Sequence, residues 1–343
     1  DNILLYARKV EITRSMEQFR TEVEAPEFSF DVNHRSRITM IGSCFAENMG
    51  ELLNGVKIDA HVNPFGILFN PFSIMNALER MLNNRPYEEA DLVNVGEHWV
   101  SLEHHGRFNR TDKPETLEAI NQALVEGRDQ LLNSDVIFIT LGSAWVYHHK
   151  EQDRVVANCH KIPNKEFNKK LLSQQETHLI LRHIPEFFKA KKLKAQVVFT
   201  VSPVRHWKDG AIENQRSKSQ LLSAVHAVVD EFDSCHYFPG YEFMMDDLRD
   251  YRFYASDMLH PSPQAIEYVW KKFQTSFFSD ETRIICKEIS AVIQAASHRP
   301  LDPESNSFQR FLKKQLEIID QLEKSYPQLS LEEERNSFRG YIL

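Results

Sequence analysis

A chain of 343 residues, 42% hydrophobic and 26% charged, has the composition of a globular protein with a sizeable core, built as one large domain or one domain with an appendage. The net charge of −8, with no basic patch interleaved with aromatics, argues against a nucleic-acid partner. No apolar run approaches membrane-spanning length, so no membrane partner is expected either.

Residues 1–15 include Leu4-Leu5 but no long apolar stretch followed by small residues. They read as an N-terminal extension or expression remnant, not a signal peptide. Residues 38–41 are an apolar, partly β-branched run of strand length, after which Phe45, Met49, Leu52 and Leu53 recur at helical spacing. Between them, Gly42-Ser43 puts a hydroxyl in a sharp strand-to-helix turn, beside helix N-terminal N–H groups able to hold a developing oxyanion. A small residue in a tight turn needs no catalytic reason, and that plain reading stands beside the catalytic one.

Residues 56–62 alternate as a half-buried strand. Asn70-Pro71 reads as an N-cap and first-turn proline, with Ile74, Met75, Leu78, Met81 and Leu82 on the apolar face of the helix that follows. Segments 87–116 and 146–170 are polar, rich in His and Asn and poorly periodic, as expected of insertions over a sheet edge where binding loops sit. Residues 136–141 and 197–201 are continuous β-rich runs, suited to strands buried on both faces of a parallel sheet. Helical patterns span about 170–191 and 214–232, the second with Leu221, Leu222, Val225, Val228 and Val229.

Ser262-Pro263 opens a helix carrying Ile266, Val269, Trp270 and Phe273. A long amphipathic helix covers 307–324, with Phe308, Phe311, Leu312, Leu316, Ile319 and Leu322. That tail either packs on the domain or makes a homo-oligomer contact. Alternating strands and helices predict an α/β fold, a three-layer α/β/α sandwich with a mainly parallel sheet, loop insertions and a C-terminal helical tail.

Ligands of such sheets bind beyond the carboxyl ends of the strands. Four predicted strand ends carry polar or glycine-bearing motifs: Ser43, residues 63–66, Gly142-Ser143 and residues 202–206. Arg205, His206, Arg249, Arg252 and Tyr254 fit a clamp for an acidic or phosphorylated substrate. They fit equally a set of rim salt bridges to Asp246, Asp247 and Asp250. The pairs His104-His105 and His148-His149 would point to opposite faces of a strand, and no HExxH occurs, so neither metal nor cofactor is expected. Cys44, beside Ser43, is expected to face away from it into an apolar site. Cysteines 44, 159, 235 and 286 form no CxxC pair, the usage of a reduced compartment, and a cytoplasmic location follows.

Gly42-Ser43-Cys44-Phe45-Ala46-Glu47-Asn48 is the signature of the GSCFA family, which resembles the SGNH/GDSL hydrolases. Further blocks look like the same family: Asn63-Pro64-Phe65-Gly66-Ile67-Leu68-Phe69-Asn70-Pro71, Thr140-Leu141-Gly142-Ser143-Ala144-Trp145-Val146-Tyr147, Val156-Ala157-Asn158-Cys159-His160-Lys161, Ser202-Pro203-Val204-Arg205-His206-Trp207 and the run from Leu248 to Pro261. Together they cover about residues 20–275. The resemblance implies a hydrolase domain over 16–300 with a helical extension over 301–343. It implies Ser43 as nucleophile, and Asp257-Met258-Leu259-His260 resembles the DxxH block that supplies the orienting acid and the base. The Ser43 and Gly66 N–H groups match the first two oxyanion donors. The third donor of that superfamily is an asparagine, which Gly142-Ser143-Ala144-Trp145 lacks, leaving Ser143, Asn158 or Asn63 to replace it.

The implied substrate is an O-acyl ester on a small molecule or carbohydrate, contacted by Asn63, Arg205, His206, Arg252 and Tyr254. Two rival readings are a ligand-binding protein without turnover and a metal-dependent hydrolase built on the histidine loops.

Overall fold

The computed structural model describes residues 21–298, 300 and 302–342, so the extension expected over 1–15 lies outside the described residues. Its centre is set by the apolar runs. Among the described residues, β1 (Ile38–Gly42), β2 (Ala60–Val62), β5 (Val136–Leu141), β9 (Gln196–Val201) and β10 (Cys235–Tyr237) pair in parallel in the order β10-β9-β5-β1-β2. The side-chain period of two divides these strands between two cores. Ile38, Met40, Val136, Phe138 and Val198 face α1 (Cys44–Gly55) and α7 (Pro263–Phe277). Ile41, Ile137, Ile139, Val197 and Phe199 face α2 (Pro71–Leu82), α3 (Lys113–Asn133), α4 (Gln174–Ala190) and α5 (Gly210–Glu231). The fold is a three-layer α/β/α sandwich.

Local chemistry starts the helices where the sequence indicates. The Asn70 side chain accepts from Ser73 N–H at 2.8 Å and Pro71 occupies the first turn of α2, while Ser262 does the same for α7 through Ala265 N–H at 3.3 Å. Three differences have clear causes. Residues 56–59 are not strand, because Val56 and Lys57 donate back to Leu53 and Asn54 and Lys57 is left-handed (φ 59°), so the chain is still leaving α1. Segments 87–116 and 146–170 are not simple loops. They contain the hairpin β3 (Leu92–Val95)/β4 (His98–Ser101) and the antiparallel sheet β7 (Arg154–Val156)–β6 (Trp145–His149)–β8 (Phe167–Leu171). Strands of three to five residues leave no readable period. Finally, α5 begins at Gly210, ahead of the expected 214, and α4 begins at Gln174 behind a Ser173/Glu176 capping box.

After β10 comes a single turn, α6 (Gly240–Glu242), and beyond α7 lie α8 (Asp280–Ser297), α9 (Asn306–Ser325) and α10 (Glu332–Arg339). These last three share an apolar cluster of their own. The four cysteines are free thiols. No helix among the described residues is long and apolar enough to cross a membrane.

Candidate active site

Gly42 ends β1 at φ +143°, and a Cβ there would lie 2.1 Å from the Thr140 carbonyl oxygen, so only glycine lets β1 run this close to β5 before the turn. Ser43 follows as N-cap of α1, its Oγ accepting from Phe45 N–H at 3.3 Å and its own N–H donating to Thr140 O at 3.1 Å. It is 2% exposed. The neighbouring strand ends are tied to it. Asn63 Oδ1 accepts from Gly42 N–H at 2.8 Å, Leu68 N–H donates to Gly42 O at 3.0 Å, and Gly142 and Ser143 N–H both donate to Phe69 O. The structure therefore brings Ser43, Asn63, Gly66 and Ser143 to one rim.

Their donors are mostly occupied. Gly66 N–H closes a turn onto Asn63 O at 2.7 Å, at φ +78° and with the His105 Cβ only 2.2 Å from where a Cβ would sit. Ser143 Oγ accepts from Trp145 N–H at 3.1 Å and meets Ser217 Oγ at 3.2 Å. The expected free donors are thus already paired: Ser43 N–H with Thr140 O across the sheet, Ser143 N–H with Phe69 O, and Gly66 N–H within its own turn. Asn63 differs: it is fully buried, and its Nδ2 has no hydrogen-bond partner. Asn158 lies elsewhere, accepting from His160 N–H and lining a 680 Å³ cavity with His98, His105, Asn109, His160 and Lys161, a lining that does not include Ser43.

Asp257 and His260 do pair. Asp257 Oδ2 lies 2.5 Å from His260 Nδ1, while Oδ1 accepts the N–H groups of Leu259 and His260 at 2.9 and 3.0 Å. The His260 N–H, the Leu259 N–H and the imidazole hold the Asp257 carboxyl down at about 2. Both side chains are about half exposed, and α7 is capped by Ser262, so the pair is not that helix's cap. Among the described residues no hydrogen bond joins His260 to Ser43.

A cleft of 460 Å³ gathers Asp257 with Arg205, Trp207, Arg249, Tyr251 and Tyr254. Arg205 donates to Met245 Sδ at 3.2 Å and has no ion-pair partner among the described residues. Arg249 and Arg252 follow the salt-bridge reading instead, pairing with Asp246 at 3.5 Å and Asp250 at 4.0 Å, and Arg252 does not line the cleft. His206 is held through its N–H by Asn214 Oδ1 at 2.8 Å, and burial lowers its pKa against the Asp209 carboxylate. Its ring sits 6.2 Å from that of Phe69. Among the described residues, no three His, Cys, Asp or Glu side chains gather as metal ligands.

Two residues depart from the sequence reading. Cys44 is partly exposed and belongs to no apolar cluster; burial and Glu47 raise its thiol pKa, while Lys218 opposes them. Lys218 itself was not foreseen. It is wholly buried, its Nζ donating at 2.7 Å to both Gly142 O and Ser202 O. A signal existed: Asn214, Ser217 and Lys218 continue the buried stripe of Leu221, Val225 and Val228 at helical spacing, and polar residues in such a stripe need partners.

With this geometry in hand, the sequence profile of the GSCFA family matches residues 37–273, and that of the GSCFA domain protein, C-terminal domain, matches residues 289–342. No curated protein matches the chain. Among solved structures it is similar to an acetyl xylan esterase, Est2A, from the rumen bacterium Butyrivibrio proteoclasticus, at 9% identity and a TM-score of 0.33. That alignment covers 74% of this chain and 63% of the esterase, less than two thirds of its length.

Proposed function

The chain belongs to the GSCFA family, and from that premise we propose that it is an SGNH-like serine hydrolase or acyltransferase acting on an O-acyl ester of a small molecule or carbohydrate. The observation that carries this reading is the Asp257–His260 pair: a carboxylate fixed by two backbone N–H groups, 2.5 Å from Nδ1, with the ring about half exposed and Asp257 lining a cleft. In that arrangement Nε2 is the basic nitrogen. Ser43 Oγ attacks the acyl carbon and passes its proton to Nε2. His260 then protonates the leaving alcohol, and water or an acceptor alcohol takes the acyl group from Ser43. Asn63 Nδ2, a buried donor without a partner on the residue that holds Gly42, supports a role in steadying the oxyanion. Arg205 suits a substrate with an anionic group.

The reading requires Ser43 to give up its 3.3 Å cap bond and the 257–260 loop to bring Nε2 over the turn. Catalytic hydrogen bonds without substrate are often long and tighten only in the complex. One observation favours a second reading, with Cys44 as nucleophile: it is partly exposed, whereas Ser43 is 2% exposed.

Incubation with a fluorophosphonate, followed by intact-mass measurement and peptide mapping, decides between them. A single adduct on Ser43, lost in Ser43→Ala, is the expected result. An adduct on Cys44 reassigns the nucleophile. No adduct together with no turnover of activated aryl esters would replace the enzyme with a ligand-binding protein.

A further inference from the structure

Among the described residues Lys218 is the one buried lysine, and it sits at the same rim. α5 carries it in register with Leu221, Val225 and Val228, which pack under the sheet. Its two hydrogen bonds go to Gly142 O and Ser202 O, carbonyls that follow the ends of β5 and β9. An ammonium has three N–H groups, so two carbonyls leave one donor over. The titratable groups that interact with it are Cys44, from the start of α1, and Arg205 and His206, from the loop after β9, where Lys218 in turn helps lower His206.

Burying an ammonium is costly, and two strand-end carbonyls alone do not require one; a neutral amide or a water would satisfy them. The position of the charge is therefore the informative fact. The N–H groups of Ser43 and Gly66 are already hydrogen-bonded, and Lys218 brings positive charge to the start of α1 from inside the molecule. We propose that Lys218 is the positioning residue of this rim, tying the loops after β5 and β9 to one buried ammonium whose charge lies beside the Ser43–Cys44 turn. It acts through those carbonyls and through its field, and touches no substrate. The kinetic side of this inference rests on the hydrolase reading; its chemical side does not.

Burial, helped by Arg205 and opposed by Cys44, lowers Lys218 to about 7. The charge is thus present below neutrality and lost as pH rises through it, so turnover should fall on the alkaline side. The test compares wild type with Lys218→Met, of similar length without charge, and Lys218→Arg, whose guanidinium keeps its proton. On an activated aryl acetate, Lys218→Met is expected to lose ~10²-fold in kcat with KM little changed, the scale of removing one stabilising group at an oxyanion. Lys218→Arg should recover part of that loss and show no alkaline fall.

A second readout needs no turnover. The rate of Cys44 alkylation by iodoacetamide, resolved by peptide mass, should be lower in Lys218→Met than in wild type at a pH below about 7, where the ammonium is charged, because the cation favours the thiolate. Equal Cys44 alkylation and equal pH profiles in the two proteins would overturn the proposal. If neither variant folds, the wild type decides: an inflection in Cys44 alkylation on the acid side of the thiol's own titration, retained in His206→Gln, supports it, and its absence overturns it. If no ester is turned over at all, the hydrolase reading fails, and the Cys44 measurement still decides the role of Lys218.

Discussion

Asp257 makes three hydrogen bonds, all within its own loop, and they hold its carboxyl at about 2. With its folded pKa lowered, its contribution is present above the ordinary carboxylate range and lost only as pH falls towards 2, so the pair with His260 persists through neutral and mildly acid conditions. Under the hydrolase reading, His260→Ala should remove nearly all turnover of an activated aryl ester. Asp257→Asn should remove much of it, because the amide favours the wrong imidazole tautomer. The double variant should lose little more than His260→Ala, since residues acting as one unit are strongly non-additive. Additive losses in kcat/KM, or a fully active His260→Ala, would place the base elsewhere.

His104 makes a stability prediction from the same kind of accounting. It is fully buried among Phe65, Tyr87 and Phe108, with Nδ1 2.8 Å from Ser101 Oγ, and burial lowers it from 6.5 to about 3. Between those values the unfolded chain binds the proton and the folded one does not, so stability must fall as pH drops from 6.5 towards 3. The slope from one such group is at most ~1.4 kcal/mol per pH unit. Urea midpoints of His104→Phe measured across that range should show a shallower slope than those of wild type; an unchanged slope would show that His104 does not carry the acid sensitivity.

At the scale of elements, the loop from β2 to α2 holds the rim together. Asn63 and Leu68 fasten Gly42, Phe69 O receives Gly142 and Ser143, and Asn70 starts α2. Asn70→Ala removes one capping acceptor and should cost ~1 kcal/mol. Gly66→Ala should cost more, since the residue needs φ +78° and its Cβ would meet His105 at 2.2 Å. Denaturant midpoints rank the two, and a harmless Gly66→Ala would show that the turn can relax. These caps could be read from the sequence because they act within four residues. The short antiparallel sheets of the two insertions could not, since β8 is stabilised by pairing with β6 and its own residues Asn168, Lys169 and Lys170 face solvent.

At the scale of the molecule, the tail is organised around its own apolar cluster. Leu312, Ile319 and Leu322 of α9 pack with Ile285, Ile289 and Val292 of α8 and with Phe338 of α10. Most of the apolar stripe expected to make either a domain contact or a subunit contact is thus packed within the chain, while Phe311 stays exposed. α10 also reaches back to the end of α1, where Lys57 Nζ lies 3.0 Å from the buried Glu334. A chain ended at residue 300 would expose the face of α8 to water, at ~25 cal/mol per Å² of apolar surface. It should melt several degrees lower by calorimetry and self-associate in light scattering. An unchanged melting temperature with a monomeric particle would show that the tail is independent of the domain.

The sequence by itself determined what depends on near neighbours and on periodicity: the buried strands at 136–141 and 197–201, the Gly42-Ser43 turn, the capped starts of α2 and α7, and the amphipathic α9. The pairing of Asp257 with His260, three residues on, was also within its reach. Only the tertiary structure decided which polar groups are already satisfied. Ser43 N–H meets Thr140 O across the sheet, while Gly66 must be glycine because of His105 in another segment. Lys218 lies 76 residues from Gly142 and 16 from Ser202, and only the sheet brings their carbonyls to its ammonium. Hydrogen bonds and charges act through space at a few ångströms, so their partners are set by the packing of whole layers and not by local order along the chain.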